Sequence, residues 1–300
     1  MTSVRPIEQV RAYLAELVGG PDTPWQERRA QSAKFADAFV TPPNVRIEAG
    51  SLGGIACEWV RADGAPGSPV FLHFHGGGYV MGSPALSRAL TTQLALSGKM
   101  CVVSVDYRLA PEAPFPAALD DAVAAYGALL ETTPAANILV GGESAGGGLA
   151  VAMLAAARDA GLPMPAGAVA ISPWTDLTCS AASFDVHAAH DPLLTRRSLR
   201  EMAEVYLAGS DARSPRASPL FADLRGLPPL LIHVAGEEVL LDDALRLCEH
   251  AITQGVRAEI SVWPEMIHVW HMFYPLLPEA AAATQQIIDF CERVQRSIEG

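Results

Sequence analysis

Six short runs rich in β-branched and other apolar residues, Val70-Phe74, Cys101-Val105, Ile138-Gly141, Ala168-Ser172, Leu230-Val234 and Glu259-Trp263, alternate with longer Ala/Leu-rich runs. The longer runs cover Leu86-Leu96, Ala117-Leu130, Ala145-Ala160 and Asp243-Thr253. This alternation predicts an α/β fold, a parallel sheet with helices on both faces. Val45-Ala49 and Ile55-Val60, separated by Gly50-Ser51-Leu52-Gly53-Gly54, read as an antiparallel hairpin leading into the same sheet. The result is a mostly parallel, eight-stranded sheet. From Ala280 onward, Ile287, Ile288, Cys291 and Val294 share one face, which predicts a closing amphipathic helix.

Two regions break the alternation. Residues 1–44 contain a helix starting at Pro6 and a polar stretch around Trp25-Arg29, and residues 174–219 carry Arg/Ser/Pro punctuation. Both are expected to lie over the sheet edge as a helical cap, leaving 45–173 and 220–300 as one α/β domain. A chain of 300 residues can bury a large core. Its formal charge of -12, with Lys34 and Lys99 as its lysines, argues against nucleic acid or an anionic membrane as partner, because both need clustered basic residues. The five cysteines are odd in number and widely spaced, unlike a disulfide framework, so a reducing, cytoplasmic setting is expected. Met1-Glu8 lacks a basic region followed by an apolar core, so no secretory signal is expected. The uncharged stretch from Ser144 to Ala157 is too short for a hydrocarbon layer of about 30 Å.

In an open parallel sheet, ligands bind beyond the carboxyl ends of the strands, so the residues that follow strands carry the chemistry. After Ile138-Gly141 comes Gly142-Glu143-Ser144-Ala145-Gly146, which fits G-x-S-x-G, a sharp strand-to-helix turn that lifts a serine Oγ clear of the backbone. After Val70-Phe74 comes His75-Gly76-Gly77-Gly78, where the absence of Cβ atoms lets backbone N–H groups converge on an oxyanion. Gly76 and Gly77 are the expected donors. Ala145, at the start of the following helix, is the third. A serine needs an imidazole to take its proton and an acid to orient that imidazole. His268 follows the Glu259-Trp263 strand and fits the first role. The acid is open among four carboxylates, Glu237, Glu238, Asp242 and Asp243. Asp242 and Asp243 also suit a helix start, where acidic side chains cap free N–H groups. His73 and His271 read as core histidines. The pairs His73-x-His75 and His268-x-x-His271 lack a carboxylate or cysteine set with zinc-site spacing, so no metal or other cofactor is expected.

These motifs together resemble the bacterial hormone-sensitive-lipase family of α/β-hydrolase esterases. His75-Gly76-Gly77-Gly78 matches the family's HGGG, Asp106-Tyr107-Arg108-Leu109-Ala110-Pro111-Glu112 matches its DYRLAPE, and Gly142-Glu143-Ser144-Ala145-Gly146-Gly147 matches its G-D-S-A-G-G with Glu143 in place of Asp. The resemblance implies an α/β-hydrolase fold and a serine carboxylesterase acting on small, short-chain acyl esters through an acyl-enzyme. It selects Glu238 as the acid beside Ser144 and His268, with Asp242 as the alternative. It implies that the two irregular segments shape the acyl and alcohol pockets. Tyr79, Phe184, His187 and Tyr206 are the side chains expected to touch substrate, although packing within the cap is the simpler account of the last three. Relatives dimerise through the last strand and helices, which allows a homodimer. A lactone, a carbamate or an acetylated sugar or drug would suit the same mechanism. A ligand-binding protein on this fold is the other class of reading; such relatives typically lose the histidine, and this chain has it.

Overall fold

The central strands are largely apolar, and the fold buries them on both faces. The computed structural model describes residues 4–17, 23–37, 39–65 and 69–299. Met1-Ser3, part of the segment read for a leader, lie outside the described residues. The strands are β1 (Val45–Leu52), β2 (Ile55–Ala62), β3 (Val70–Phe74), β4 (Cys101–Val105), β5 (Ile138–Glu143), β6 (Gly167–Ile171), β7 (Leu230–Ala235) and β8 (Ala258–Trp263). The helices are α1 (Pro6–Leu17), α2 (Trp25–Asp37), α3 (Arg88–Gly98), α4 (Ala117–Leu130), α5 (Ala145–Asp159), α6 (Ser183–Val186), α7 (Arg196–Leu207), α8 (Leu241–Thr253) and α9 (Pro278–Glu299).

The sheet order is β1-β2-β4-β3-β5-β6-β7-β8. β2 pairs antiparallel with β1 and β4, and every pairing from β4 through β3 to β8 is parallel. Apolar side chains of α4, α5 and α8 join the sheet in one core, and those of α3 and α9 pack on its other face. Ile287, Ile288, Cys291 and Val294 of α9 are all buried there, on the face the sequence pattern marks.

The order matters for function. After β3 the chain first adds β4 on one side and then returns to add β5 on the other, so the loops leaving β3 and β5 diverge. Divergent loops leave a crevice at the carboxyl ends of these two strands. His75-Gly78 and Ser144 sit at that switch point.

One expectation changes. The polar stretch around Trp25-Arg29 is the start of a helix, α2. Its apolar residues form no stripe, so hydrophobic periodicity could not reveal it.

Candidate active site

β5 delivers Ser144 directly to the head of α5. Ser144 takes φ 56 and ψ -123, a strained conformation for a residue with a side chain. Its backbone is fixed on both sides: its N–H donates to the Ile171 carbonyl at 2.8 Å, and its carbonyl accepts from the Trp174 N–H at 3.0 Å. The turn is possible because Gly146 has no Cβ, which would lie 2.0 Å from the Phe74 carbonyl oxygen. Ala145 begins α5, so its N–H has no intrahelical acceptor.

The loop after β3 is built around Glu143, the residue that replaces the family's Asp. Glu143 Oε1 accepts from the Gly76 N–H at 2.8 Å and the Ser87 hydroxyl at 2.6 Å, and Oε2 pairs with His73 Nε2 at 2.7 Å. Burial would raise this carboxyl, but His73, Ser87 and the Gly76 amide outweigh it and hold the group below the ordinary carboxylate range. This bears on the oxyanion donors. The Gly76 N–H, expected to face the oxyanion, is engaged by a carboxylate. The N–H groups of Gly77 and Gly78 have no acceptor among the described residues. Gly77 must be glycine, at φ +117 with a Cβ position 2.1 Å from the Met81 carbonyl oxygen.

His75 and the second motif hold the back of this loop. The His75 ring stacks on Tyr107 with centroids 4.2 Å apart, and the Tyr107 hydroxyl donates to the His75 carbonyl at 2.7 Å. His75 Nδ1 lies 2.7 Å from the Gly76 carbonyl, and burial pulls its pKa down to about 4. A neutral ring with its proton on Nδ1 satisfies that contact.

Glu238 and His268 meet at the ends of β7 and β8. Glu238 Oε1 lies 3.4 Å from His268 Nδ1. Glu238 Oε2 accepts from Ser172 Oγ at 2.7 Å and the Ala235 N–H at 3.2 Å, and the same Ser172 Oγ accepts from the Val269 N–H at 3.2 Å. Ser172, which the sequence reading passed over, therefore ties the acid to the histidine loop. With Nδ1 turned to Glu238, His268 keeps Nε2 for the other side. Ser144 and His268 line one cavity, without a direct hydrogen bond between them.

Asp242, the alternative acid, accepts from the Ser183 N–H at 2.8 Å and so anchors α6 instead of approaching the histidine. Asp243 accepts from the Thr175 and Asp176 N–H groups, at 2.8 and 2.9 Å. Asp191 is a buried neighbour of the pair: burial raises its carboxyl while the His268 charge lowers it, and its oxygens take the N–H groups of Leu193, Leu194 and Val239. His73 bonds Ser104 and Glu143, and His271 contacts His233 at 3.1 Å in the core.

The expected substrate-touching side chains are placed elsewhere. Tyr79 and Tyr206 stack on each other at 4.0 Å, both buried, and Phe184 is buried with them in the core. His187 packs against His190. None of the four lines the cavity that holds Ser144. Its walls are instead leucines and methionines, including Leu193, Leu194, Leu199 and Met202, together with Arg28 and Gln31 of α2. Large aromatic rings carry more buried area and anchor the segment, whereas slimmer side chains leave open space.

The model for the alpha/beta hydrolase fold matches residues 71–272, which makes this chain an α/β hydrolase. The acetyl-hydrolase of Streptomyces hygroscopicus is 48% identical over 258 residues, 86% of this chain and 84% of that protein. An esterase of Acinetobacter venetianus is 37% identical over 254 residues, 84% of each chain. The crystal structure of an esterase from the bacterial hormone-sensitive lipase family has TM-score 0.94 at 40% identity, covering 98% of this chain and 100% of that one. EstE5 soaked with p-nitrophenyl butyrate has TM-score 0.93 at 43% identity, with the same coverage. The chain belongs to the bacterial hormone-sensitive-lipase family of α/β-hydrolase esterases. It is a carboxylic-ester hydrolase, and its fold carries a serine mechanism.

Proposed function

We propose that Ser144 is the nucleophile, His268 the general base and Glu238 the acid that orients it, with the amides of Gly77, Gly78 and Ala145 holding the oxyanion. The observation that carries this reading is a strained serine and a carboxylate-bound imidazole lining one cavity beside unengaged glycine amides. Ser144 Oγ attacks the ester carbonyl carbon while His268 Nε2 takes its proton. The tetrahedral intermediate collapses, His268 returns the proton to the departing alkoxide, and an acyl-Ser144 remains. Water, deprotonated by His268, then attacks the acyl carbon, and the carboxylic acid leaves as Ser144 recovers its proton. Hydrogen bonds of this kind are commonly long or poorly aligned until substrate is seated, and Ser144 and His268 already line the same cavity.

The substrates in this reading are small, soluble esters with short acyl chains. The name acetyl-hydrolase and the p-nitrophenyl butyrate soak of relatives support that size class. Residues 1–44 and 174–219 act as the cap over a catalytic domain of 45–173 and 220–300; Leu14, Arg28, Leu193 and Met202 from those segments line the cavity in support. The five free, buried cysteines suit a cytoplasmic setting, and no described helix is long and apolar enough to cross a membrane. The edge strand β8, with Val262 44% exposed, is where two copies would pair; sedimentation as a monomer at high concentration rejects that pairing.

Replacing Ser144 with Ala is the direct test. The variant should lose both hydrolysis of 4-nitrophenyl butyrate and covalent labelling by an organophosphate while keeping its circular dichroism spectrum. Labelling at the unmodified level would remove Ser144 from the mechanism.

A further inference from the structure

Arg28 stands apart from the other arginines of this chain. The residue is only 6% exposed, Nε and Nη1 are buried without a hydrogen-bond partner, and it lines the cavity that contains Ser144. Nearby on α2, at the i+3 position on the same helix face, Gln31 Oε1 is also buried and unpartnered, and also lines the cavity. The remaining walls combine leucine and methionine side chains with glycines, serines, His268 and Glu143, and both oxygens of Glu143 are engaged by His73, Gly76 and Ser87. Asp191 is the acidic group whose charge reaches Arg28, and its two oxygens already serve the N–H groups of Leu193, Leu194 and Val239.

A buried guanidinium is unfavourable, and among the described residues no hydrogen bond to Nε or Nη1 offsets its burial, which only the charge of Asp191 opposes. A guanidinium offers a planar fork of N–H donors that fits a carboxylate in two parallel bonds, and low surrounding polarity strengthens such bonds. Most arginines of this chain make ion pairs on the surface, as Arg29 does with Glu112 and Arg46 with Asp63. Arg28, one position from Arg29, turns inward.

We propose that Arg28 is an anion-recognising residue of the substrate cavity, and that the enzyme favours esters carrying a carboxylate within reach of it. Gln31 Oε1 supplies an acceptor alongside for a hydroxyl or amide N–H of the same substrate. This rests on the assignment of Ser144 as nucleophile, and it deepens that reading by naming a substrate class.

The test compares matched esters in the full-length enzyme. One pair bears the charge on the acyl side: 4-nitrophenyl hydrogen glutarate and its terminal amide. The other bears it on the alcohol side: 3-acetoxybenzoate and 3-acetoxybenzamide. For Arg28→Met, the ratio of kcat/KM for the carboxylate ester over the neutral ester should fall about tenfold or more in at least one pair, and the responding pair identifies the side that faces Arg28. An unchanged ratio in both pairs overturns the proposal. Because the readout is a ratio within one enzyme, a general loss of activity cancels. Should Arg28→Met not fold, the unmodified enzyme serves: glutarate should inhibit hydrolysis of 4-nitrophenyl butyrate competitively and more strongly than glutaramide, and equal inhibition overturns the proposal. Failure of the underlying reading has a different signature, since Ser144→Ala would then still hydrolyse the neutral esters.

Discussion

Replacing Glu143 with Ala puts the construction of the site under the most direct strain. The side chain is buried, and its loss leaves the Gly76 N–H, the Ser87 hydroxyl and His73 Nε2 without the partners they hold at 2.8, 2.6 and 2.7 Å. Each buried polar group left unsatisfied costs about 1–3 kcal/mol. The three share one network, so the costs do not simply add, and a total of about 3–5 kcal/mol is expected. For a chain of this size 1 kcal/mol corresponds to roughly 1.6 °C in Tm, which puts the fall at about 5–8 °C. The same change releases the glycine loop that presents Gly77 and Gly78, so kcat should drop by about 10²–10³, comparable to losing one oxyanion donor. KM should move less, because the oxyanion exists only beyond the ground state. Differential scanning calorimetry and initial rates on 4-nitrophenyl butyrate measure both. A Tm within about 2 °C of the unmodified enzyme, with kcat within about threefold, would refute the argument that this carboxylate organises the site. The pH dependence adds a second check. Glu143 titrates below its ordinary value of 4.5 in the fold, so its stabilisation is fully present above that value and lost as the pH falls beneath it. The melting curves of enzyme and variant should therefore converge in acid.

Glu238→Gln should lower kcat by about 10³–10⁴, since the acid fixes the imidazole tautomer, whereas Asp242→Ala should cost about 1 kcal/mol as a lost helix anchor with little change in kcat; the reverse pattern in steady-state kinetics would exchange their roles. Burial pushes the Asp243 carboxyl up to about 7 from 3.8, so the folded protein keeps a proton that the unfolded chain releases. Stability should decline as pH rises through that window, and Asp243→Asn, which still accepts from Thr175 and Asp176, should flatten the slope. Urea midpoints across the window decide it, and an unaltered slope would assign the proton elsewhere.

Strands β3 and β4 and helix α4 have the boundaries their residue patterns predict, because predominantly apolar runs flanked by proline or charge, at Pro69, Asp106, Pro116 and Glu131, leave little choice of where each element ends. Ser144 and His268 could be singled out as candidates because each follows a strand that ends at the carboxyl edge of a parallel sheet, whereas Glu238 stands out from Glu237, Asp242 and Asp243 only through the family resemblance. What the sequence could not carry was competition for partners. A string of glycines announces free amides, but whether one is taken depends on a carboxylate 67 residues away, and here Glu143 takes Gly76. The pocket walls were hidden for a related reason. Tyr79, Phe184 and Tyr206 attract notice as large rings, yet their size draws them into the core. Arg28 sits in a polar helix where any arginine looks like surface.

The three motifs that name the family are one mechanical unit, and their chemistry explains why. Ser144 and Gly77 both hold positive φ, conformations that a free chain leaves readily, so the site persists only where its surroundings over-determine it. Glu143 supplies one restraint by joining the serine turn to the glycine loop and to His73 of β3. Tyr107 of the DYRLAPE segment supplies another, clamping His75 by stacking and by a hydrogen bond to its carbonyl. The restraint continues outward, since Arg108 of that segment is held by the buried Asp121 of α4, and Glu112 reaches Arg29 of α2. α2 is also the helix that turns Arg28 toward the cavity. The segment thus contacts the glycine loop proposed to hold the oxyanion on one side and the helix that carries Arg28 on the other. A change in DYRLAPE should therefore disturb turnover and substrate selectivity together, although no atom of Tyr107 or Arg108 lines the cavity.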